Sequence, residues 1–371
     1  HGHCNKYIAE SVYKQIRTLD HVIFGGFTHS PAIDLSERIL RLIPYHSKVF
    51  FSDNGSTSVE VAIKMALQTF HNQGINKKRI IAFKDSYHGD TFGAMSVSSR
   101  SVFTEAFQDM LFDVEYIDLP TDENISELIE RFEGIMSKGD VAAFIYEPLV
   151  LGAGGMKIYK AEHLEKLLET AQKHQVIKIA DEVMTGFGRT GKMFASEYLK
   201  VKPDIICLSK GLAGGILPMG LTTCNDTVYK GFENKDKTKT FYHGHSFTGN
   251  PITCAAAIAS LDLFEKENLL AKIDNINKQH ITFVKKLNKY QQYCNPKCIG
   301  VILSIEFTNK DKTAYLNNMR DEIYNFFIKR QIIIRPLGNV LYIIPPYCID
   351  NKDLLHIYNV IIDFIQKKSV K

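Results

Sequence analysis

Two side chains able to do chemistry stand at the ends of two short apolar runs. Asp204-Ile205-Ile206-Cys207-Leu208-Ser209-Lys210-Gly211 delivers one amine into the glycine-rich turn Gly211-Leu212-Ala213-Gly214-Gly215. Upstream, Ile177-Lys178-Ile179-Ala180-Asp181-Glu182 ends in a carboxylate and leads into Thr185-Gly186-Phe187-Gly188-Arg189-Thr190-Gly191. Taken singly, each has an ordinary explanation: most lysines are solvated, and a strand-end aspartate commonly caps the next turn. Together, an amine that can condense with an aldehyde and an acid that can face a ring nitrogen suit pyridoxal phosphate. In that setting Asp181 would keep the pyridine nitrogen protonated, and Lys210 would carry the cofactor and shuttle a proton.

Three more stretches could complete such a site. Ser52-Asp53-Asn54-Gly55-Ser56-Thr57-Ser58 precedes a helical pattern, so the amides of Gly55 and Ser56 and the helix dipole can hold a phosphate. The same residues also serve as a plain helix cap. In Asp85-Ser86-Tyr87-His88-Gly89-Asp90-Thr91, Tyr87 can stack on a ring or simply pack. Glu147, between an apolar run and the loop Gly152-Ala153-Gly154-Gly155, can hydrogen-bond near the ring or cap its strand.

The elements that must position these groups alternate. Residues 79–83, 141–146, 176–180 and 204–208 read as buried strands, while 58–73 and 161–174 carry helical patterns. Alternation of this kind predicts an α/β fold, a parallel sheet covered on both faces with ligands at the carboxyl ends of its strands. Beyond about residue 265 the texture changes to a polar helix through 285–289, a run at 299–307 and a hairpin-like stretch at 332–344. The chain is therefore read as a large domain over 1–265 and a smaller α+β domain over 266–371.

Composition narrows the partners. With 371 residues, 45% of them hydrophobic, the chain can bury a large core. A formal charge of +4 over this length, with no dense Lys/Arg stripe, favours a small-molecule partner over nucleic acid. The seven cysteines are scattered, which argues for reduced thiols in a cytoplasmic protein rather than disulfides or a metal. No apolar stretch approaches the ~18 residues of a membrane span. The sequence starts at His1 without methionine, which suggests a fragment or a processed form.

At motif level the sequence resembles the fold-type I, class III (omega-type) pyridoxal-phosphate aminotransferases, from His21 to about Pro346. The run Asp181-Glu182-Val183-Met184-Thr185-Gly186-Phe187-Gly188-Arg189-Thr190-Gly191, followed by Ser209-Lys210-Gly211, is similar to the signature of that class. Three stretches most resemble its biotin-synthesis branch, which aminates 8-amino-7-oxononanoate to 7,8-diaminononanoate: His21 to Ala32, Tyr87 to Ser96, and Arg335 to Tyr342. Asp90 supports that branch, since relatives with other substrates more often carry a basic residue there.

The resemblance implies roles residue by residue. Gly55 and Ser56 would bind the phosphate, Tyr87 would stack on the ring, Asp181 would face its nitrogen and Lys210 would hold its aldehyde carbon. Arg335 would meet the carboxylate of the keto substrate, with Gly244 and Tyr342 as further substrate contacts. In His243-Gly244-His245-Ser246-Phe247-Thr248-Gly249-Asn250-Pro251, Ser246 would reach across a homodimer interface to the phosphate of the second subunit. His245 stands where some relatives have proline, which leaves S-adenosylmethionine and lysine both open as amino donor. A pair of tryptophans expected just upstream of His1 is absent from this chain, which has no Trp, and this too suggests truncation. An omega-amino-acid, ornithine or 4-aminobutyrate transaminase, an aminomutase, and a non-catalytic homologue remain as alternatives.

Overall fold

The computed structural model describes residues 1–308 and 317–369. Residues 309–316 and 370–371, which the expected small domain also spans, lie outside the described residues. Twelve strands are described: β1 Lys48–Ser52, β2 Arg79–Phe83, β3 Glu115–Ile117, β4 Val141–Tyr146, β5 Val150–Leu151, β6 Lys157–Ile158, β7 Ile177–Asp181, β8 Ile205–Leu208, β9 Gly220–Cys224, β10 Cys294–Ile299, β11 Ile302–Phe307 and β12 Val340–Ile343.

Seven of them form one sheet in the order β1-β9-β8-β7-β4-β2-β3. The four runs read as strands are all strands, and β3, β2, β4, β7 and β8 pair in parallel. The sheet is nevertheless mixed, because β9 lies antiparallel between β8 and β1. The link from β8 to β9 holds only the short turn Lys210–Ala213, and a parallel partner would need a longer crossover. Every residue of β4, β7, β8 and β9 is buried, as a sheet covered on both faces requires. Each such aliphatic or aromatic side chain contributes roughly 1.5–3 kcal/mol by leaving water.

The helix Gly55–Asn72 begins three residues earlier than its apolar periodicity suggests. Asn54 accepts from the Thr57 amide at 3.0 Å while Thr57 Oγ1 accepts from the Asn54 amide at 3.0 Å, a reciprocal cap. Capping there leaves Gly55 and Ser56 in the first turn with their amides uncommitted to the helix.

The C-terminal part carries a second sheet, β10-β11-β12, with helices Met319–Ile328 and Asn351–Ser369. The expected hairpin over 332–344 does not form. Only β12 is a strand, and it pairs with β11 instead. Pro336 offers no amide to a ladder, and Gly338 at φ +59° turns the chain tightly, leaving a lone bridge between Leu337 and Val340. Phe264 and Tyr347 meet edge to face at 6.1 Å, inside one core that runs from the large sheet into the small one. All seven cysteines are free thiols. Among the described residues no helix is long and apolar enough to cross a membrane.

Candidate active site

β7 and β8 run side by side with Asp181 opposite Cys207, so their carboxyl ends open at the same level of the sheet. Asp181 is the last residue of β7 and is buried. Its Oδ1 accepts from the Val183 amide at 3.0 Å, and its Oδ2 lies 2.7 Å from His88 Nδ1. The next residue, Glu182, points to the opposite side of the strand and does different work. Its carboxyl takes Thr185 Oγ1, the Ala195 amide, and both the amide and hydroxyl of Ser196, at 2.6–2.9 Å. Burial raises the Glu182 carboxyl above its usual range against those hydrogen bonds. Of two adjacent acids, one ties the loop together and the other faces the cleft.

Lys210 follows the end of β8 and is exposed there in a left-handed conformation at φ +43°. For a residue with a Cβ that backbone costs on the order of 1–3 kcal/mol and is held by the surrounding fold. Ser209 supplies part of the hold, its hydroxyl donating to the Met219 carbonyl at 2.6 Å.

The loop after β2 brings Tyr87 and His88 to the same place. Glu147, at the end of β4, clasps that loop: Oε1 accepts from the Tyr87 amide at 3.0 Å and Oε2 from the Gly152 amide at 2.8 Å. Complete burial pushes the Glu147 carboxyl up to about 7, with His88 opposing and Asp181 adding to the rise. Glu147 therefore spends both oxygens on two main-chain amides, which joins the loops on either side of the cleft. Tyr87 is half-buried. Burial lifts its hydroxyl above the usual phenol range, followed by the hydrogen bond to Asp90, while the nearby Arg335 guanidinium opposes the rise. Ser56 Oγ accepts from the Asp90 amide at 3.1 Å, which joins the first turn of Gly55–Asn72 to this loop. A side chain at Gly89, φ +133°, would run into Ser56, and one at Gly55 would come within 2.7 Å of Val183 Cγ1.

These elements enclose a cleft of about 620 Å³ lined by Gly55, Ser56, Tyr87, Glu147, Asp181, Lys210, Arg335 and Tyr342. The structure thus gathers eight of the residues singled out in the sequence around one space. Gly244 and Ser246 do not line it. They sit on an exposed loop, where His245 Nε2 lies 3.3 Å from Asp53 Oδ1.

Two residues escaped the residue-by-residue reading. Val183 also lines the cleft from the turn just past β7, where its amide donates to Asp181 Oδ1. His88 is buried and aims its Nδ1 at Asp181, while its Nε2 has no partner among the described residues. No local spacing marked it; its role appears only where the loop after β2 meets the end of β7.

Pyridoxal phosphate fits this arrangement. Gly55 and Ser56 line the cleft in the first turn of the helix Gly55–Asn72, where amides without an intrahelical partner can meet a phosphate. Tyr87 and Val183 offer two walls for a flat ring. Asp181 retains acceptor capacity beyond its two hydrogen bonds.

A family model described as aminotransferase class-III matches residues 1–365. A protein of Synechococcus elongatus named adenosylmethionine-8-amino-7-oxononanoate aminotransferase is 43% identical, over 99% of this chain and 88% of its own length. The crystal structure of the Methanocaldococcus jannaschii protein of the same name is 33% identical with a TM-score of 0.90, over 99% of this chain and 86% of that one. An amine transaminase from an uncultivated Pseudomonas species, solved in the PLP-bound form, is 28% identical with a TM-score of 0.90, over 97% and 86%. The cofactor is pyridoxal phosphate, the fold is that of the PLP-dependent transaminases, and the chain belongs to the class-III aminotransferase family.

Proposed function

We propose that this protein transfers an amino group to the ketone of 8-amino-7-oxononanoate, giving 7,8-diaminononanoate in biotin synthesis, with S-adenosylmethionine as the donor. The observation that carries the reading is the cleft itself. Lys210 and Asp181 face it at two adjacent strand ends, and Arg335, Tyr342 and Asp90 line its substrate side. The names borne by the Synechococcus and Methanocaldococcus relatives supply the substrate.

Pyridoxal phosphate, when bound, supplies an electron sink for the bond that breaks at the amine-bearing carbon. Asp181 would hold a proton on the pyridine nitrogen, with His88 Nδ1 donating to its far oxygen and fixing its orientation. Lys210 Nζ would remove the proton from the amine-bearing carbon and return it one position along, then reverse the transfer on the keto substrate. Gly55 and Ser56 would bind the phosphate through the first helical turn. Arg335 would pair with the substrate carboxylate, so that donor and acceptor occupy the cleft in turn, as a ping-pong reaction demands.

The protein is proposed to act in the cytoplasm as a homodimer with shared active sites. Ser246 and Gly244 belong to that proposal: they lie between Tyr242 and Phe247, which are 70% and 62% exposed. Large apolar side chains left in solvent around a polar motif are what a subunit contact covers. Ser246 would then serve the phosphate of the partner.

The test is the half-reaction. Adenosylmethionine and lysine are each added alone to the holoenzyme, and loss of its visible absorbance reports the donor. Amination of 8-amino-7-oxononanoate is then followed directly. Bleaching by lysine alone would move the donor assignment. Turnover of ornithine or 4-aminobutyrate without amination of 8-amino-7-oxononanoate would overturn the substrate assignment.

A further inference from the structure

We propose that Glu60 is a positioning residue for this reaction, one half of a two-point clasp that sets the loop carrying Tyr87 and Asp90 against the cofactor-binding helix. Glu60 lies in the helix Gly55–Asn72, one turn beyond Ser56, and i and i+4 share a helix face. From that face both side chains reach the same loop. Ser56 Oγ accepts from the Asp90 amide at 3.1 Å. Glu60 Oε1 accepts three times, from Thr91 Oγ1 at 2.5 Å, the Gly93 amide at 2.7 Å and the Ala94 amide at 3.1 Å. Hydrogen bonds to an ionised acceptor are the stronger kind, and three converging on one oxygen leave the loop little freedom.

The residues so fixed continue directly from those that face the cleft: Asp90, held by Ser56, and Tyr87 both line it, and Asp90 acts on the Tyr87 hydroxyl. One helix would thus hold the phosphate with its first turn and the substrate wall with its next.

Gly93 supplies an independent mark of the clasp. It sits inside the short helix Phe92–Val97 with no positive φ, where alanine is ordinarily the better residue. A Cβ there would nonetheless collide with the Glu60 carboxyl. A side chain at 93 would displace the Glu60 carboxyl, and nothing in the glycine's own backbone calls for glycine there.

The clasp depends on the transaminase reading only for the choice of substrates, and it is tested on the holoenzyme with Glu60→Ala, Glu60→Gln, Gly93→Ala and the double variant Glu60→Ala/Gly93→Ala. Hydrogen exchange at the amides of Asp90, Gly93 and Ala94 reads the clasp without turnover. Glu60→Ala should speed exchange there and raise the substrate KM about tenfold, while kcat and affinity for pyridoxal phosphate stay within about twofold. Glu60→Gln keeps an oxygen where all three donors point and should restore KM to within about threefold. Gly93→Ala should raise KM like Glu60→Ala, and should add nothing in the Glu60→Ala background.

Two results would overturn the proposal. One is a folded Glu60→Ala enzyme with unchanged KM and unchanged exchange. The other is a Gly93→Ala penalty equally large with and without Glu60. If the wild type fails to aminate 8-amino-7-oxononanoate, the substrate assignment falls. The clasp is then decided by exchange and by the KM of whichever amine bleaches the wild-type holoenzyme.

Discussion

Replacing Glu147 by glutamine should change how the stability of this fold depends on pH. The carboxyl is wholly buried, and both oxygens accept from main-chain amides, of Tyr87 and Gly152. Burial pushes it from 4.5 up to about 7. Below the lower value both folded and unfolded chains hold the proton. Between the two, the folded chain holds a proton that the unfolded chain has released, so stability falls as pH rises, and above about 7 the whole loss is present. At ~1.4 kcal/mol per unit of pKa, that interval is worth about 3 kcal/mol.

Two buried histidines act in the opposite direction. Burial lowers His46 and His280 from 6.5 to about 4. The unfolded chain therefore takes up their protons first, and their contribution, present above 6.5, is lost as pH falls toward 4. Only the difference between variants isolates Glu147. Glutamine does not ionise, and it turns an amino group toward one of the two amides at a pH-independent cost of roughly 1–3 kcal/mol. Urea unfolding of both proteins without pyridoxal phosphate, from acid to mildly alkaline pH, measures the gap. The wild type should be the more stable near pH 4.5. Its advantage should shrink by about 3 kcal/mol, vanishing or reversing, once pH passes the folded-state value. A gap that stays constant across this range would refute the argument.

Lys210→Ala should fold and bind pyridoxal phosphate without its characteristic visible band, and should lose at least about 10³-fold in turnover, since the proton carrier is gone; a variant that kept both would remove Lys210 from the mechanism. Arg335→Lys should raise the KM for 8-amino-7-oxononanoate about tenfold with little change in kcat, because an ammonium cannot reproduce the two-pronged contact. Gly55→Ala should weaken cofactor binding about tenfold, read by titration of the absorbance, because its Cβ would stand 2.7 Å from Val183 Cγ1 and push that side chain into the cleft.

Much of the site was legible because it sits at strand ends. Ile177–Asp181 and Ile205–Leu208 are apolar runs whose flanking residues change abruptly to chemistry, and buried parallel strands write themselves into sequence in that way. The helix Gly55–Asn72 was legible from its periodicity, but its start was set by the Asn54–Thr57 cap, which apolar spacing does not record. The antiparallel insertion of β9 and the missing hairpin before β12 were not legible. Strand direction and partner depend on how the chain returns, and the local pattern of Gly220–Cys224 or Val340–Ile343 is the same for either answer.

By itself the sequence supplied the candidates for the chemistry: one amine, one acid, one aromatic ring and a helix start, because these follow from residue type and from position along single elements. Only the tertiary structure decided which acids do which work. Asp181 and Glu182 are neighbours in the chain, yet the strand sends one to His88 and the cleft and the other to Ser196 and the loop. Glu147 and Glu60 lie far apart in sequence from the loop they hold, and their roles appear only when the sheet and the helix Gly55–Asn72 bring their oxygens to its amides. Hydrogen bonds of that kind join residues by space, and nothing in the linear order encodes them.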